Sequence, residues 1–157
     1  MQTRELTISY LEYPSLGEMS AEDRILCNAA IEAAKGSYAP YSHFNVGAAA
    51  LLDDGTIVKG ANQENAAYPS GLCAERTAIF AAGAQYPQRD IVCLAIAGGP
   101  DGTLTPLPAA PCGACRQVMA QCQTRSGKKM GVILVGAEAI YKFEKVEDLL
   151  PFIFDSI

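Results

Sequence analysis

The chain has 157 residues, half of them hydrophobic and 18% charged, with a formal net charge of −5. That length and apolar content suit one globular domain with its own core rather than a disordered chain. The negative balance disfavours a nucleic-acid partner, which needs a basic face, and no apolar run approaches the ~20 residues of a membrane-spanning helix.

Residues 1–18 form an N-terminal arm ahead of a single unit over 19–157. In the arm Leu6, Ile8 and Tyr10 alternate with polar residues, a pattern for a short edge strand. Tyr13-Pro14-Ser15 interrupts it. Ser20-Ala21-Glu22-Asp23 has the form of a capped helix start. Leu26, Ala29, Ala30, Ala33 and Ala34 then fall on one stripe at helical spacing, and Gly36 is placed to end the helix. A loop around Pro40 leads to residues 44–52, a nearly all-apolar strand expected to be covered on both faces. Asp53-Asp54-Gly55 signals a hairpin, with its return strand at 56–60.

The polar cluster Asn62-Gln63-Glu64-Asn65 follows. Tyr68-Pro69-Ser70-Gly71 turns the chain, with Ser70 or Gly71 as the candidate cap of a helix over 72–82. Ala78, Ile79 and Ala82 form its inner face. A strand is expected at 90–97, and Gly98-Gly99-Pro100-Asp101-Gly102 reads as a turn. It carries no phosphate-loop pattern. A proline-rich loop over 103–111 precedes a helix at 112–122, and Arg125 to Lys129 reads as an exposed basic loop. A fourth strand at 131–135, a fifth at 139–142 and a short helical turn stopped by Pro151 complete the chain. Strands alternating with helices, plus one hairpin, predict a mixed sheet covered on both faces.

Two short clusters carry the chemistry: Cys73-Ala74-Glu75-Arg76 and Pro111-Cys112-Gly113-Ala114-Cys115-Arg116-Gln117. Each lies where a helix is expected to begin. Catalytic zinc sites use three protein ligands and keep a fourth position for water. Cys112 and Cys115, three apart, project from one side of a first helical turn, and Cys73 comes from a second helix start. Helix N-termini favour thiolate. Three thiolates leave a net anionic site, so charge balance predicts that Arg76, and Arg116 with it, donates to a ligand sulfur. Glu75, two residues from Cys73, is placed to exchange protons with metal-bound water. Taken alone, Cys112-x-x-Cys115 also suits a dithiol redox pair or half of a structural zinc site. Cys27, Cys93 and Cys122 sit in apolar stretches as core residues, and His43, the one histidine, reads as a loop or core residue. With no secretory pattern at the start, six cysteines fit reduced thiols in a cytoplasmic protein better than three disulfides.

These residues together resemble the small three-cysteine cytidine deaminases. The likeness runs over about residues 20–154. It takes in Cys-Ala-Glu-Arg-Thr-Ala from Cys73 and Pro-Cys-Gly-Ala-Cys-Arg-Gln from Pro111. Tyr41-Ser42-His43-Phe44-Asn45-Val46-Gly47-Ala48-Ala49, Asn62-Gln63-Glu64-Asn65, Tyr68-Pro69 and Leu149-Leu150-Pro151 belong to it as well. The resemblance implies a three-layer α/β/α fold with a mixed five-stranded sheet. It implies one Zn²⁺ per subunit on Cys73, Cys112 and Cys115, with Glu75 as proton shuttle. It further implies ribose contacts from Asn62 and Glu64, ring packing by Phe44, and the Ala74 backbone on the base carbonyl. Tyr68 and Phe154 would complete a neighbour's pocket in a homotetramer with shared active sites. A zinc hydroxide would attack C4 of cytidine or 2'-deoxycytidine, giving uridine or 2'-deoxyuridine and ammonia in pyrimidine salvage. A nucleoside antibiotic such as blasticidin is the alternative substrate on the same fold. The chain departs from the family at Ala110, where a serine commonly precedes Pro-Cys, in a longer loop before Pro111, and in its N-terminal arm.

Overall fold

The computed structural model describes residues 1–155. One mixed sheet runs through the molecule, with strands β1 (Leu11–Tyr13), β2 (Phe44–Leu52), β3 (Ile57–Ala61), β4 (Ile91–Pro100), β5 (Gly131–Val135) and β6 (Ile140–Phe143) in the order β1-β6-β5-β4-β2-β3. Only β4 and β5 are parallel; the other neighbours are antiparallel. Helix α1 (Ala21–Ala33) covers one face, and α2 (Ala74–Gln85) and α3 (Gly113–Ser126) cover the other. The expected three-layer α/β/α arrangement is therefore present, but with six strands instead of five. The extra one comes from the arm, where Leu11, Glu12 and Tyr13 pair with Lys142, Tyr141 and Ile140. The alternation at Leu6, Ile8 and Tyr10 pointed to a strand slightly upstream of where pairing occurs.

The side-chain period of two along β2 builds both cores. Ala48, Ala50 and Leu52 join Leu94, Ile96, Val132 and Leu134 beneath α2 and α3. Ala49 and Leu51 join Ala95, Ala97, Ile133 and Val135 beneath Leu26, Cys27 and Ala30 of α1. Strands covered on both faces have no polar side to show, which is why β2 and β4 read as nearly continuous apolar runs.

Helix α1 starts as its sequence requires, with the Ser20 hydroxyl accepting from the Asp23 amide at 3.1 Å. Helix α2 does not: its N-cap is Cys73 itself, while Ser70 closes a 3-10 turn over Tyr68–Ser70. Gly98, Gly99 and Pro100 are not a turn either. They extend β4 opposite Val46, Asn45 and Phe44, and the chain reverses at Asp101-Gly102, both with positive φ. Helix α3 runs four residues past Cys122, so Arg125 lies in its last turn, and Gly127 ends it at φ 67°.

Two glycines set how closely the helices approach the sheet. A Cβ on Gly47 would lie 2.1 Å from the Ala30 carbonyl oxygen, and one on Gly60 would lie 2.4 Å from the Ala78 nitrogen and 2.7 Å from the Ala74 oxygen. Helix α2 therefore rests directly on the β3 backbone, at the turn that follows Cys73. Gly60→Ala should lower the free energy of unfolding by about 1–3 kcal/mol or more, because only backbone movement relieves the clash. Gly83→Ala, in open space on the same helix, should raise it by ~0.5–1 kcal/mol. Urea titration of the two variants checks both signs.

Candidate active site

Helices α2 and α3 converge N-terminus to N-terminus. Cys73 is the N-cap of α2 and Cys112 the N-cap of α3, and neither uses its side chain to cap its helix. Both sulfurs thus stay free beside backbone N–H groups that have no intrahelical acceptor. Cys115, one turn into α3, is fully buried. The three Sγ atoms lie within 4.8 Å of one another. Tetrahedral zinc with Zn–S bonds of ~2.3 Å spaces its sulfurs roughly 3.8 Å apart, so this donor set fits the ion with little adjustment. Among the described residues no other cluster of histidine, cysteine or acidic side chains has this form. His43, held at φ 53° in the loop before β2, is not part of it.

The charges around the sulfurs are arranged for anions. The neighbouring Cys115 sulfur and the Arg76 guanidinium together bring the Cys73 thiol down to about 5. The nearby Cys73, with burial, pushes the Cys115 thiol up. Arg76 Nη2 donates to Cys73 Sγ at 3.5 Å, and Arg76 Nε is buried with no partner. Arg116 behaves differently from the expectation of charge balance. Its Nε donates to the Pro111 carbonyl at 2.8 Å and its Nη1 to the Leu149 carbonyl at 2.7 Å. It ties the loop that carries Cys112 to the C-terminal segment and does not touch a sulfur.

A cavity of about 230 Å³ opens onto the cluster, walled by Phe44, Asn62, Cys73, Ala74, Glu75 and Cys112. Glu75 is only 5% exposed. Burial, reinforced by the charge of Cys73, raises its carboxyl above the usual range. Asn62 enters the wall with part of its amide already engaged: Oδ1 accepts from the Val46 amide at 2.8 Å and Nδ2 donates to the Phe44 carbonyl at 2.9 Å. Glu64 faces an adjoining cleft that shares Asn62 and Cys73 with the cavity and has Tyr68 on its rim. One Glu64 oxygen accepts from the Tyr41 amide at 2.9 Å and the Ser42 amide at 3.2 Å. Hydrogen bonding from Ser42 and from these amides holds the carboxyl below its ordinary value. Tyr68 is 72% exposed and Phe154 69% exposed. Phe154 borders neither space; its carbonyl accepts from Gln117 Nε2 at 2.6 Å.

Sequence reading missed part of this wall. Val46 and Ile96 line the cavity, but in a strand of apolar residues nothing separates a wall residue from a core residue. Ser42, Ala109 and Ala110 also line it; Ser42 falls in the family-like stretch from Tyr41 and Ala110 is the departure before Pro111, whereas Ala109 carries no signal beyond its place in the loop. Gln63 pairs its backbone with Leu72 in both directions at 2.9 Å, fixing the chain just before Cys73.

Residues 20–136 match the family model of the cytidine and deoxycytidylate deaminase zinc-binding region. The chain belongs to this family. It is a zinc-binding deaminase, and Cys73, Cys112 and Cys115 form a cluster able to hold the metal. A cytidine deaminase of Halalkalibacterium halodurans is 49% identical over 98 residues, 62% of this chain and 70% of the relative. One from Sporosarcina psychrophila is 42% identical over 120 residues, 76% of this chain and 82% of the relative. Among solved structures, the cytidine deaminase of Burkholderia pseudomallei superposes with a TM-score of 0.72 at 40% identity, covering 87% of this chain and 100% of that one. The Mycobacterium tuberculosis enzyme does so with a TM-score of 0.67 at 34% identity, covering 87% and 100%.

Metal held by the native state and not by the unfolded chain adds to stability by mass action, ~4 kcal/mol when free zinc is a thousandfold above its dissociation constant. Stripping zinc from this deaminase with a chelator should therefore lower the calorimetric unfolding midpoint, and added Zn²⁺ should restore it. An unchanged midpoint would mean that the thiols hold no metal.

Proposed function

We propose that this deaminase hydrolyses cytidine and 2'-deoxycytidine to uridine and 2'-deoxyuridine with release of ammonia, in the pyrimidine salvage of the cytoplasm. The observation that carries the reading is the position of Glu75. A buried carboxyl with a raised pKa stands in the wall of the cavity that Cys73 and Cys112 also line.

Zinc, when bound, supplies Lewis-acid activation of water at neutral pH. The remaining work falls to side chains of this chain. A Glu75 carboxylate oxygen accepts the proton of the water and returns it to the substrate, so that the exocyclic nitrogen leaves as ammonia. Its raised pKa suits a group that must both take and give a proton near neutrality. Phe44 packs on the pyrimidine ring, and the Ala74 N–H donates to the base carbonyl. Asn62 keeps one amide hydrogen, and Glu64 one oxygen, beyond the backbone bonds they make. These suit the hydroxyls of a ribose. Arg76 offsets the charge of the ligand sulfurs through Cys73.

The exposed Tyr68 and Phe154 support a homotetramer in which each subunit completes its neighbour's pocket. Tyr68 at the rim of the adjoining cleft and Phe154 on the C-terminal segment are large exposed aromatics, which such an interface would cover. All six cysteines are free, in keeping with a reducing compartment.

Incubation with cytidine, followed by ultraviolet loss and ammonia release, tests the reaction; no turnover by the zinc-loaded protein would sink it. Glu75→Gln should retain one zinc per subunit while kcat falls by about 10²–10⁴. Full activity in that variant would remove Glu75 from the proton path. Arg76→Gln should weaken zinc affinity about 10–100-fold, read by competition with a chromophoric chelator. An unchanged affinity would make Arg76 an ordinary surface cation.

A further inference from the structure

The N-terminal arm lies outside the chemistry above, and its sequence is organised. Residues 1–10 form no regular element and are exposed throughout, with Leu6 63%, Ile8 45% and Tyr10 48% exposed. They nonetheless continue the line of β1. Thr7, Ser9 and Leu11 border a cleft with Lys142, Glu144 and Lys145, so the arm runs on beside β6 and the residues after it. The Tyr10 ring packs 5.0 Å from Tyr141 and 5.3 Å from Phe143. At the period of two of an extended chain, Leu6 and Ile8 fall on the face of Tyr10, and Thr7 and Ser9 on the opposite one. β1 is also the last strand of the sheet, so its outer backbone edge is unpaired among the described residues. An exposed apolar edge of this kind is a template for strand pairing.

The sequence specifies which strand fits. Two arms paired antiparallel about a two-fold axis at Ile8 place Ile8 opposite Ile8, Leu6 opposite Tyr10, Thr7 opposite Ser9, and Arg4 opposite Glu12. In these pairs apolar meets apolar, hydroxyl meets hydroxyl, and the cation meets an anion twice by symmetry; Glu5 opposite Leu11 is the one mismatch between Arg4 and Glu12. Registers displaced by two residues lose this. An axis at Ser9 sets Leu6 against Glu12, and an axis at Thr7 sets Arg4 against Tyr10. A parallel arrangement would align like charges. Cross-strand pairs of opposite charge and of aromatic with aliphatic residues stabilise a sheet, and like charges oppose it.

We propose that the arm is an interface between two copies of this chain, joining their six-stranded sheets edge to edge through antiparallel pairing centred on Ile8. The contact is isologous, so one arm satisfies one other arm, and it joins the chains of the proposed homotetramer two by two.

Cysteine cross-linking of the full, zinc-loaded chain reads the register directly. Ile8→Cys should form disulfide-linked pairs under mild oxidation, well above the background of the natural chain. Leu6→Cys should not link to itself, because its two copies would lie four residues out of register, roughly 13 Å apart along the strand. A mixture of Leu6→Cys and Tyr10→Cys should link. Arg4→Glu added to Ile8→Cys should lower the yield of linked pairs at least fivefold, and Glu12→Arg added to both should restore it. These residues are exposed, so the variants should fold as the natural chain does, which far-ultraviolet circular dichroism verifies. Linking of Ile8→Cys no faster than Leu6→Cys, or a double charge swap as weak as the single, overturns the proposal. Neither readout depends on deaminase activity or on contacts at Tyr68 and Phe154.

Discussion

Crowding of negative charge at three sulfurs is the constraint around which this structure is arranged. Sulfurs within 4.8 Å, if all ionised, repel by roughly 3.5 kcal/mol per pair at an effective dielectric of about 20, or about 10 kcal/mol for the three pairs. Each helix N-terminus returns on the order of 0.3–2 kcal/mol, and the one guanidinium in contact, Arg76, meets a single sulfur at 3.5 Å. Those contributions fall short of the repulsion. Without a cation the cluster is relieved by keeping a proton, in line with the opposed shifts of Cys73, drawn down, and Cys115, pushed up. A divalent ion replaces those protons and removes the deficit, so the local architecture and the metal require each other.

Holding the cluster together is then a problem of placing two helix ends. Helix α2 is located by direct backbone contact at Gly60, and the residue before Cys73 is fixed by the paired bonds of Gln63 and Leu72. Helix α3 is located by polar clamps at both ends. Arg116 holds Pro111 and Leu149, and the buried Gln123 accepts from the Met130 and Val146 amides at 3.1 Å each. The bonds from Arg116 to Leu149 and from Val146 to Gln123 reach across 33 and 23 residues and tie α3 to the C-terminal segment; the others fix the chain locally beside each helix. The other cysteines show the contrast. Burial drives the thiols of Cys27 and Cys93 up to about 12, which makes them inert packing groups within a few ångströms of strands that also serve the site.

Much of this was legible in the sequence because the relevant signals are local. The Ser20 cap, the Asp53-Asp54-Gly55 hairpin, the apolar runs of β2 and β5 and the cysteine spacing each declare themselves within a few residues. The errors came where tertiary contact overrides local chemistry. Gly98-Gly99-Pro100 has the composition of a turn, yet it is strand, because Gly99 lets the chain at Thr103 fold back within a distance that any Cβ would block. Cys73 is a poor cap by propensity, yet it caps α2, because Gln63 has already fixed Leu72 in extended pairing. Arg116 was assigned to a sulfur on charge alone. The carbonyls it reaches lie 5 and 33 residues away, and the second is beyond any motif. The alternation at Leu6, Ile8 and Tyr10 places the edge strand a few residues early, because the three residues that pair, Leu11–Tyr13, are too short to show a period of their own.

The same logic explains why the metal half of the site was easier to read than the rest. Thiolate ligands must be cysteines, so their identity and spacing survive in the sequence. Asn62 and Glu64 answer to two demands at once. Asn62 bonds the backbone at Phe44 and Val46 where β2 begins, and Glu64 gathers the amides of Tyr41 and Ser42. These contacts fix the loop that presents Phe44 to the cavity. A polar residue here is therefore required by the fold whether or not a sugar is bound, and its presence alone does not distinguish the two roles. What the proposed sugar contacts would use is the remainder: an amide hydrogen on Asn62 and a carboxylate oxygen on Glu64 that the backbone does not use, in two spaces that meet at Asn62 and Cys73. Since the two side chains that shape the entrance also face it, the loop and the proposed sugar contacts make their demands on the same two residues.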